Sequence, residues 1–192
     1  MPNKTALVTG ASEGIGAEFI QILAARGYDL ILVARSEDKL NRLAAKAETE
    51  FNIKCTVIVA DLSQSKAAHN LFQRVHELSL DVNFLVNNAG LLKNGFFTEL
   101  SLEEQEKMIA VNVIALTSLT HLFANYMASK DGGYILNVAS LAGWMAIPNQ
   151  NVYAATKAYV LAFTQALANE MIVADSRVKI TALCPGYTAT KM

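Results

Sequence analysis

An α/β domain built on a doubly wound parallel sheet is the fold class this sequence predicts, on three observations. Short apolar, β-rich runs alternate with longer helical patterns along all 192 residues. The short runs are continuously apolar rather than alternating, as strands buried on both faces of a parallel sheet are. Repeated strand–helix units joined by right-handed crossovers then place helices on both faces. Composition agrees, with 53% hydrophobic and 17% charged residues in a length suited to one domain, 1–192.

In order, the first strand is expected over 6–9 and the first helix over 14–26. A second strand over 30–33 leads to a helix over 36–50, for which Ser36 is a plausible N-cap. A strand over 56–59 and a helix over 63–78 follow, then a strand over 84–86. Residues 89–100, with Gly90 and Gly95, read as a loop at a strand's carboxyl end. The next helix, 101–128, opens with Ser101 three residues before Glu104, a capping box. A strand over 134–138, a helix over 151–174 and a last strand over 179–183 complete the pattern.

Charge and cysteine usage narrow the function classes. Sixteen basic residues against seventeen acidic ones leave no electrostatic footprint for nucleic acid. No run of about 18 apolar residues suggests a membrane span, and the first residues have no signal-peptide pattern. Cys55 and Cys184 sit apart, and with three histidines there is no ligand spacing for a structural metal and no disulfide framework. A cytoplasmic protein acting on a small molecule, without nucleic acid or membrane as partner, is the expectation.

The first strand runs into Thr9-Gly10-Ala11-Ser12-Glu13-Gly14-Ile15-Gly16, which opens the first helix. Glycines here permit a tight turn and close backbone approach, and a helix N-terminus offers unpaired N–H groups to phosphates. Gly10, Ser12, Glu13, Gly14, Ile15 and Gly16 are therefore candidate dinucleotide contacts. Dinucleotide folds usually carry an acid about 20 residues beyond the loop, on the adenosine ribose. Here the end of the second strand reads Ala34-Arg35. A guanidinium fork suits a 2′-phosphate, so NADP(H) is favoured, while NAD(H) stays possible. Glu13, Glu37 and Asp38 weigh against that preference, and Arg35 could simply be a solvated residue.

Tyr153 and Lys157 are four apart in a helical pattern and share one face. A phenol, with a pKa of about 10, is a poor base at neutral pH, and a nearby ammonium stabilises its phenolate. Such a pair can exchange a proton with an alcohol or carbonyl. Ser140 follows the fifth strand and Asn87-Asn88-Ala89-Gly90 closes the fourth, so both belong at the strand ends where ligands sit in open α/β sheets.

Taken together, these motifs resemble the short-chain dehydrogenase/reductase family over 4–192, in the branch with T-G-x-x-x-G-x-G and Y-x-x-x-K. The resemblance implies a Rossmann-like strand order 3-2-1-4-5-6. It also implies Tyr153 as general acid/base, Lys157 on the nicotinamide ribose and Ser140 on the substrate oxygen. Asn112 matches the family's helix asparagine, which supports a water between Lys157 and solvent. Asp61 and Leu62 match the adenine-side pair, and Asn88, Ala89 and Gly90 the segment beside the adenosine ribose. After Pro185-Gly186, Thr188 and Thr190 match positions that bond the nicotinamide carboxamide. Without the family match, Asp61 reads equally as a helix-capping residue, Asn88 as a sheet stabiliser and Asn112 as a satisfied core amide.

Family members normally continue past the Pro-Gly turn with a helical lid and a seventh strand, whereas this sequence stops at Met192. The expectation is a C-terminally short domain lacking most of the residues that choose the substrate. Leu91, Leu92, Trp144, Met145 and Ile147 suggest a greasy substrate, or a packing floor under a lid. The leading functional reading is an NADP(H)-dependent oxidoreductase acting on a carbonyl/alcohol pair; the alternatives are a cofactor-binding sensor or fragment without turnover, and an NAD(H)-dependent member. On helix 151–174, the face opposite Tyr153 carries Ala155, Tyr159, Ala162, Ala166 and Met171. Its lack of charge predicts a homodimer through helices 101–128 and 151–174, unless that face packs on the sheet.

Overall fold

The computed structural model describes residues 4–188. Six parallel strands form one sheet in the order β3-β2-β1-β4-β5-β6. They are β1 (Thr5–Thr9), β2 (Asp29–Ala34), β3 (Cys55–Val59), β4 (Val82–Asn87), β5 (Gly133–Val138) and β6 (Val178–Leu183). This is the doubly wound arrangement the alternating apolar runs call for, and every strand is a residue or more longer than its apolar run. Pairing requires only a backbone N–H and C=O, so polar residues such as Asp29 and Asn87 extend the ladders.

Side chains alternate across the sheet and build two separate cores. Ala6, Val8, Leu30 and Leu32 face α1 (Gly14–Ala25) and α2 (Glu37–Phe51), burying Ile20, Leu23 and Leu40. Leu7, Ile31, Val33, Leu85 and Ile135 point the other way, towards α3 (Ala67–Glu77) and α5 (Leu116–Ala128). Phe123 fills the centre of that second core, with Phe72 edge-on at 5.1 Å between ring centroids. The last helix, α6 (Asn151–Val173), lies on the same side against β6 and carries Tyr153 and Lys157.

The expected helix 101–128 is one rod with a defect. It comprises α4 (Leu102–Ile109), a wide π-turn (Ala110–Ala115) and α5. Leu102–Ala128 is long and apolar enough to cross a membrane by length and composition, but Leu116, Leu119, Phe123 and Met127 are buried against the rest of the protein. Its apolarity is that of a covering helix.

Two cap expectations divide. Ser101 accepts from the Glu104 N–H at 3.2 Å, as a capping box requires. Ser36 stands at the N-cap of α2 but makes no side-chain cap bond, so Glu37 and Asp38 in the first turn supply the favourable charge there.

Beneath the strand ends, β4, β5, α5 and α6 are joined by a buried amide–hydroxyl network. Asn87 Nδ2 donates to Thr120 Oγ1 at 3.0 Å and to Asn137 Oδ1 at 2.9 Å, and Asn137 Nδ2 donates to Thr164 Oγ1 at 3.0 Å. Buried polar groups that find partners in this way favour one relative placement of the elements they join. That network fixes the helix bearing Tyr153 against the strands that end beside it.

Candidate active site

A crevice of about 770 Å³ opens at the carboxyl ends of the strands, over the point where β1 and β4 lie side by side. Strand order reverses there, so the connections leave to opposite faces and a gap is unavoidable.

The gap's edges are clasped by Thr9. Its hydroxyl accepts from the N–H groups of Asn88 and Ala89, each at 3.0 Å, and donates to the Val86 carbonyl at 3.3 Å. The Asn88 amide donates to the carbonyls of Thr9 at 3.0 Å and Gly10 at 3.2 Å. Its side chain thus ties the two strands together, as the sheet-stabilising alternative anticipates, and leaves the backbone of Asn88 to Gly90 facing the crevice. Gly10, at φ +64°, takes the left-handed conformation that turns the chain into α1. A methyl on Gly16 would overlap the Gly10 carbonyl, so helix and strand meet here only because that position is glycine. Gly16 is therefore a packing residue outside the crevice wall, whereas Gly10, Ser12, Glu13, Gly14 and Ile15 line it.

Charged groups gather at one end. Arg35 is exposed and lines the wall with Asp61, Leu62 and Lys39. Lys39 Nζ binds Glu13 Oε2 at 2.7 Å, so the carboxylate that weighed against a phosphate is held by a lysine 26 residues away. No sequence pattern marks that pair. Burial tends to raise the Asp61 pKa, but bonds from the Ser63 N–H and hydroxyl and from Gln64, with the Arg35 charge nearby, hold it below the usual carboxylate value. Asp61 thus caps the turn after β3 while lining the crevice. Leu62 lines it too, but most of its side chain belongs to the core.

The opposite end holds the groups expected to react. Tyr153 is 9% exposed and Lys157 4%. Lys157 Nζ donates to the Val138 carbonyl at 2.7 Å and lies 5.7 Å from the Tyr153 ring centroid. Burial lowers the Lys157 pKa to about 8. Burial also raises the Tyr153 phenol above its ordinary value, against the lowering effect of the Ser140 hydroxyl. This differs from the expectation that Lys157 depresses the phenol. The ammonium is drawn to a strand carbonyl and sits over the ring, so desolvation dominates. Ser140 caps a 3-10 turn (Leu141–Trp144), accepting from the Ala142 N–H at 3.1 Å.

Asn112 lies in the π-turn with no solvent exposure and behind the wall of the crevice. Its Oδ1 accepts from Leu91 N at 2.8 Å, and its Nδ2 donates to Leu91 O at 2.9 Å and Thr156 Oγ1 at 3.0 Å. Thr156 Oγ1 in turn donates to the Tyr153 carbonyl at 2.7 Å. Together these bonds link the loop after β4 to α6, and none reaches Lys157. Sequence reasoning assigned no role to Thr9, Lys39 or Thr156, which line or support the crevice; Thr9 carried a signal as the first residue of the glycine motif and Thr156 by lying between Tyr153 and Lys157, while Lys39 carried none.

The Pro185-Gly186 turn closes the far wall through Leu141 N to Pro185 O at 3.0 Å, and Thr188 lines the crevice beside it. Thr190 lies outside the described residues. Among the described residues no cluster of His, Cys, Asp or Glu could hold a metal ion.

A family model described as short chain dehydrogenase matches residues 4–192. The oxidoreductase UcpA of Salmonella typhimurium is 33% identical over 193 residues, covering 100% of this chain and 72% of that protein. A short-chain dehydrogenase from Sphingobium yanoikuyae in complex with NADPH superposes with a TM-score of 0.90 at 34% identity, covering 98% of this chain and 72% of that one. One from Burkholderia phymatum in complex with NAD gives 0.91 at 28% identity, covering 98% and 67%.

The buried ammonium has a consequence for stability. Below pH 8 Lys157 is charged in both folded and unfolded chains, and the burial cost is felt in full. Between about 8 and the ordinary lysine value of 10.5 the folded amine is neutral while the unfolded one still binds a proton, so stability rises with pH. Relative to Lys157→Met, the wild type should gain about 3 kcal/mol across that window. Urea midpoints of both proteins at pH 7.5 and 10.5 measure it, and a constant difference would place the ammonium in water.

Proposed function

Because the chain belongs to the short-chain dehydrogenase/reductase family, we propose that it moves a hydride between NADP(H) and a carbonyl/alcohol pair, with Tyr153 as the general acid/base. The observation that carries this reading is the burial of Tyr153 and Lys157 together in a crevice whose other end is a helix N-terminus.

The residues present fit a dinucleotide. Helix α1 begins at Gly14, and Gly10, Ser12, Gly14 and Ile15 line the crevice, so its N-terminus borders the space a pyrophosphate would take. At Gly90 a side chain would begin 3.6 Å from Lys157 Nζ, in space the nicotinamide end of a cofactor would use. When bound, the nicotinamide supplies the hydride acceptor or donor. The chain's own groups do the rest. Gly10 to Ile15 hold the phosphates, Asp61, Leu62 and Asn88 to Gly90 border the adenosine, and Pro185, Gly186 and Thr188 border the nicotinamide.

Ser140 orients the substrate oxygen towards Tyr153. A phenol whose pKa is raised by burial carries its proton at neutral pH, which suits it to give that proton to the oxygen of a carbonyl being reduced. In this reading Lys157, buried beside the ring, holds the nicotinamide ribose. Asn112 and Thr156 hold the helix bearing Tyr153 at a fixed distance from Leu91, and so act by positioning.

For the cofactor, the preference for NADP(H) rests on Arg35 at the mouth of the crevice, on the lack of a carboxylate at Ala34 and on the pairing of Glu13 with Lys39. Relatives bind either form. For assembly, Ala155, Tyr159, Ala162 and Ala166 are exposed along α6, and Ile114 in the π-turn is 59% exposed on the same side as Thr117, which bonds Tyr159. Met171 departs from the expected face and packs into the core. We read the exposed face as the contact of a homodimer formed about a two-fold axis.

Replacing Tyr153 with Phe removes the proton donor and keeps the ring. Turnover should fall by at least about 100-fold while the NADPH dissociation constant stays within a factor of about two. Normal turnover in this variant would assign the proton to another group.

Arg35→Asp should shift the ratio of dissociation constants towards NAD(H) by at least about tenfold, since a charge-assisted fork is lost and a repelling carboxylate gained. An unchanged ratio in titrations with both cofactors would show that Arg35 points into water.

Light scattering at micromolar concentration should give twice the chain mass, and Ala162→Lys, on the exposed face, should return it to the monomer value. A monomer mass for the unsubstituted protein would remove the dimer.

A further inference from the structure

Gln105 is a long amide in the middle of α4, and 6% of it is exposed. A buried amide must find partners, and those of Gln105 lie outside its own helix. Its Nε2 donates to Phe97 O at 3.2 Å and to Leu100 O at 3.1 Å. Carbonyls can only accept, so the NH2 group is the end that must face them. Both belong to the segment between β4 and α4, residues 88–101, which has no helix or strand to satisfy its backbone.

The start of that segment is held in the same way, since Asn112 bonds both backbone groups of Leu91, at 2.8 and 2.9 Å. Two buried amides of one rod therefore grip the loop at Leu91 and again at Phe97 and Leu100. Between the grips the loop folds on itself. A side chain on Gly95 would meet Leu100 Cδ2 at 3.0 Å, and Gly95 N donates to Asn149 O at 3.0 Å, just before α6. Lys93 Nζ and Glu104 Oε1 pair at 3.1 Å on the surface, a contact of the kind that contributes little in water. What the loop carries brings the grip to the crevice. Leu91, Leu92 and Asn94 line it, and the two leucines share one packed cluster with Met108, Ala142, Tyr153 and Ala154.

We infer that Gln105 is a positioning residue: its amide holds the loop after β4 against α4, and so keeps Leu92 and Asn94 on the crevice wall and water away from the end beside Tyr153. The grip on the loop stands by itself, whereas its effect on a cofactor rests on the reading of that end as the nicotinamide site.

Two variants test it. Gln105→Met keeps the length of the side chain and removes both donors, and Gln105→Glu keeps its shape but turns an oxygen towards two carbonyl oxygens. Amide hydrogen exchange, read by mass spectrometry, should show protection falling by at least roughly tenfold in peptides covering 91–101 of both variants, with β1, β4 and β5 unchanged. The NADPH dissociation constant should stay within a factor of about two, because the phosphate and adenosine contacts lie at the far end of the crevice. The fluorescence of bound NADPH should fall towards that of the free cofactor as water reaches the reduced ring. Unchanged protection over 91–101 would overturn the proposal, and so would a loss spread over the whole chain, which would make the amide a general support of the fold. Loss confined to the loop with the fluorescence of bound NADPH unchanged would overturn its role at the crevice. Failure of the unsubstituted protein to bind NADPH would overturn the cofactor reading instead, and the exchange data would still decide the grip on the loop.

Discussion

One threonine hydroxyl uses all its bonding capacity at the middle of the sheet, and the crevice depends on it. At the carboxyl ends of β1 and β4 the connections part to opposite faces, so each edge of the gap is a strand end with backbone groups to satisfy. Thr9 Oγ1 accepts two N–H groups from the far edge and donates to a carbonyl of the same strand, and Asn88 returns two bonds to the near edge. With those groups spent, the gap keeps one width, and a dinucleotide-sized ligand meets a preformed surface. Preorganisation of this kind lowers the ordering cost of binding.

A second clasp joins the loop after β4 to α6. Asn112 grips both backbone groups of Leu91 and hands its remaining N–H to Thr156, which holds the carbonyl of Tyr153. The turn of α6 that bears Tyr153 and the loop after β4 therefore share one support, buried and out of reach of water. The cost of this rigidity is visible in Lys157, whose ammonium is kept where solvent cannot reach it. Groups that serve proton transfer are often held in environments that would be unfavourable for stability alone.

The parallel, doubly wound class and the placement of the glycine-rich turn were legible because each follows from a local pattern, whereas the strand order came only with the resemblance to a known family. Apolar runs mark buried strands, and glycines followed by a helical pattern mark the phosphate end. What stayed hidden was contact between distant segments. Lys39 reaches Glu13 across 26 residues, Asn112 reaches Leu91 across 21 and Thr156 across 44. Nothing in a residue's own neighbourhood announces such a partner. Ser36 shows the reverse case, a residue type suited to a cap whose side chain is not used for it. The raised phenol of Tyr153 was missed for the same reason, since burial depends on everything packed around it.

The wide turn at Ala110–Ala115 has a meaning in angular terms. Each residue of an α-helix advances about 100° around its axis, so a rod that gained or lost one residue would swing everything beyond that point to another side. A π-turn absorbs one such residue locally. In this rod the half before it bears Met108 against Tyr153 and Ala154, and the half after it bears Phe123 in the sheet's second core. The extra residue lets the two halves keep separate rotational phases. A helical wheel drawn straight through from Leu102 to Ala128 would assign one of those faces to the wrong side. Asn112 sits in the segment where the phase changes, and from there its amide meets Leu91 and Thr156.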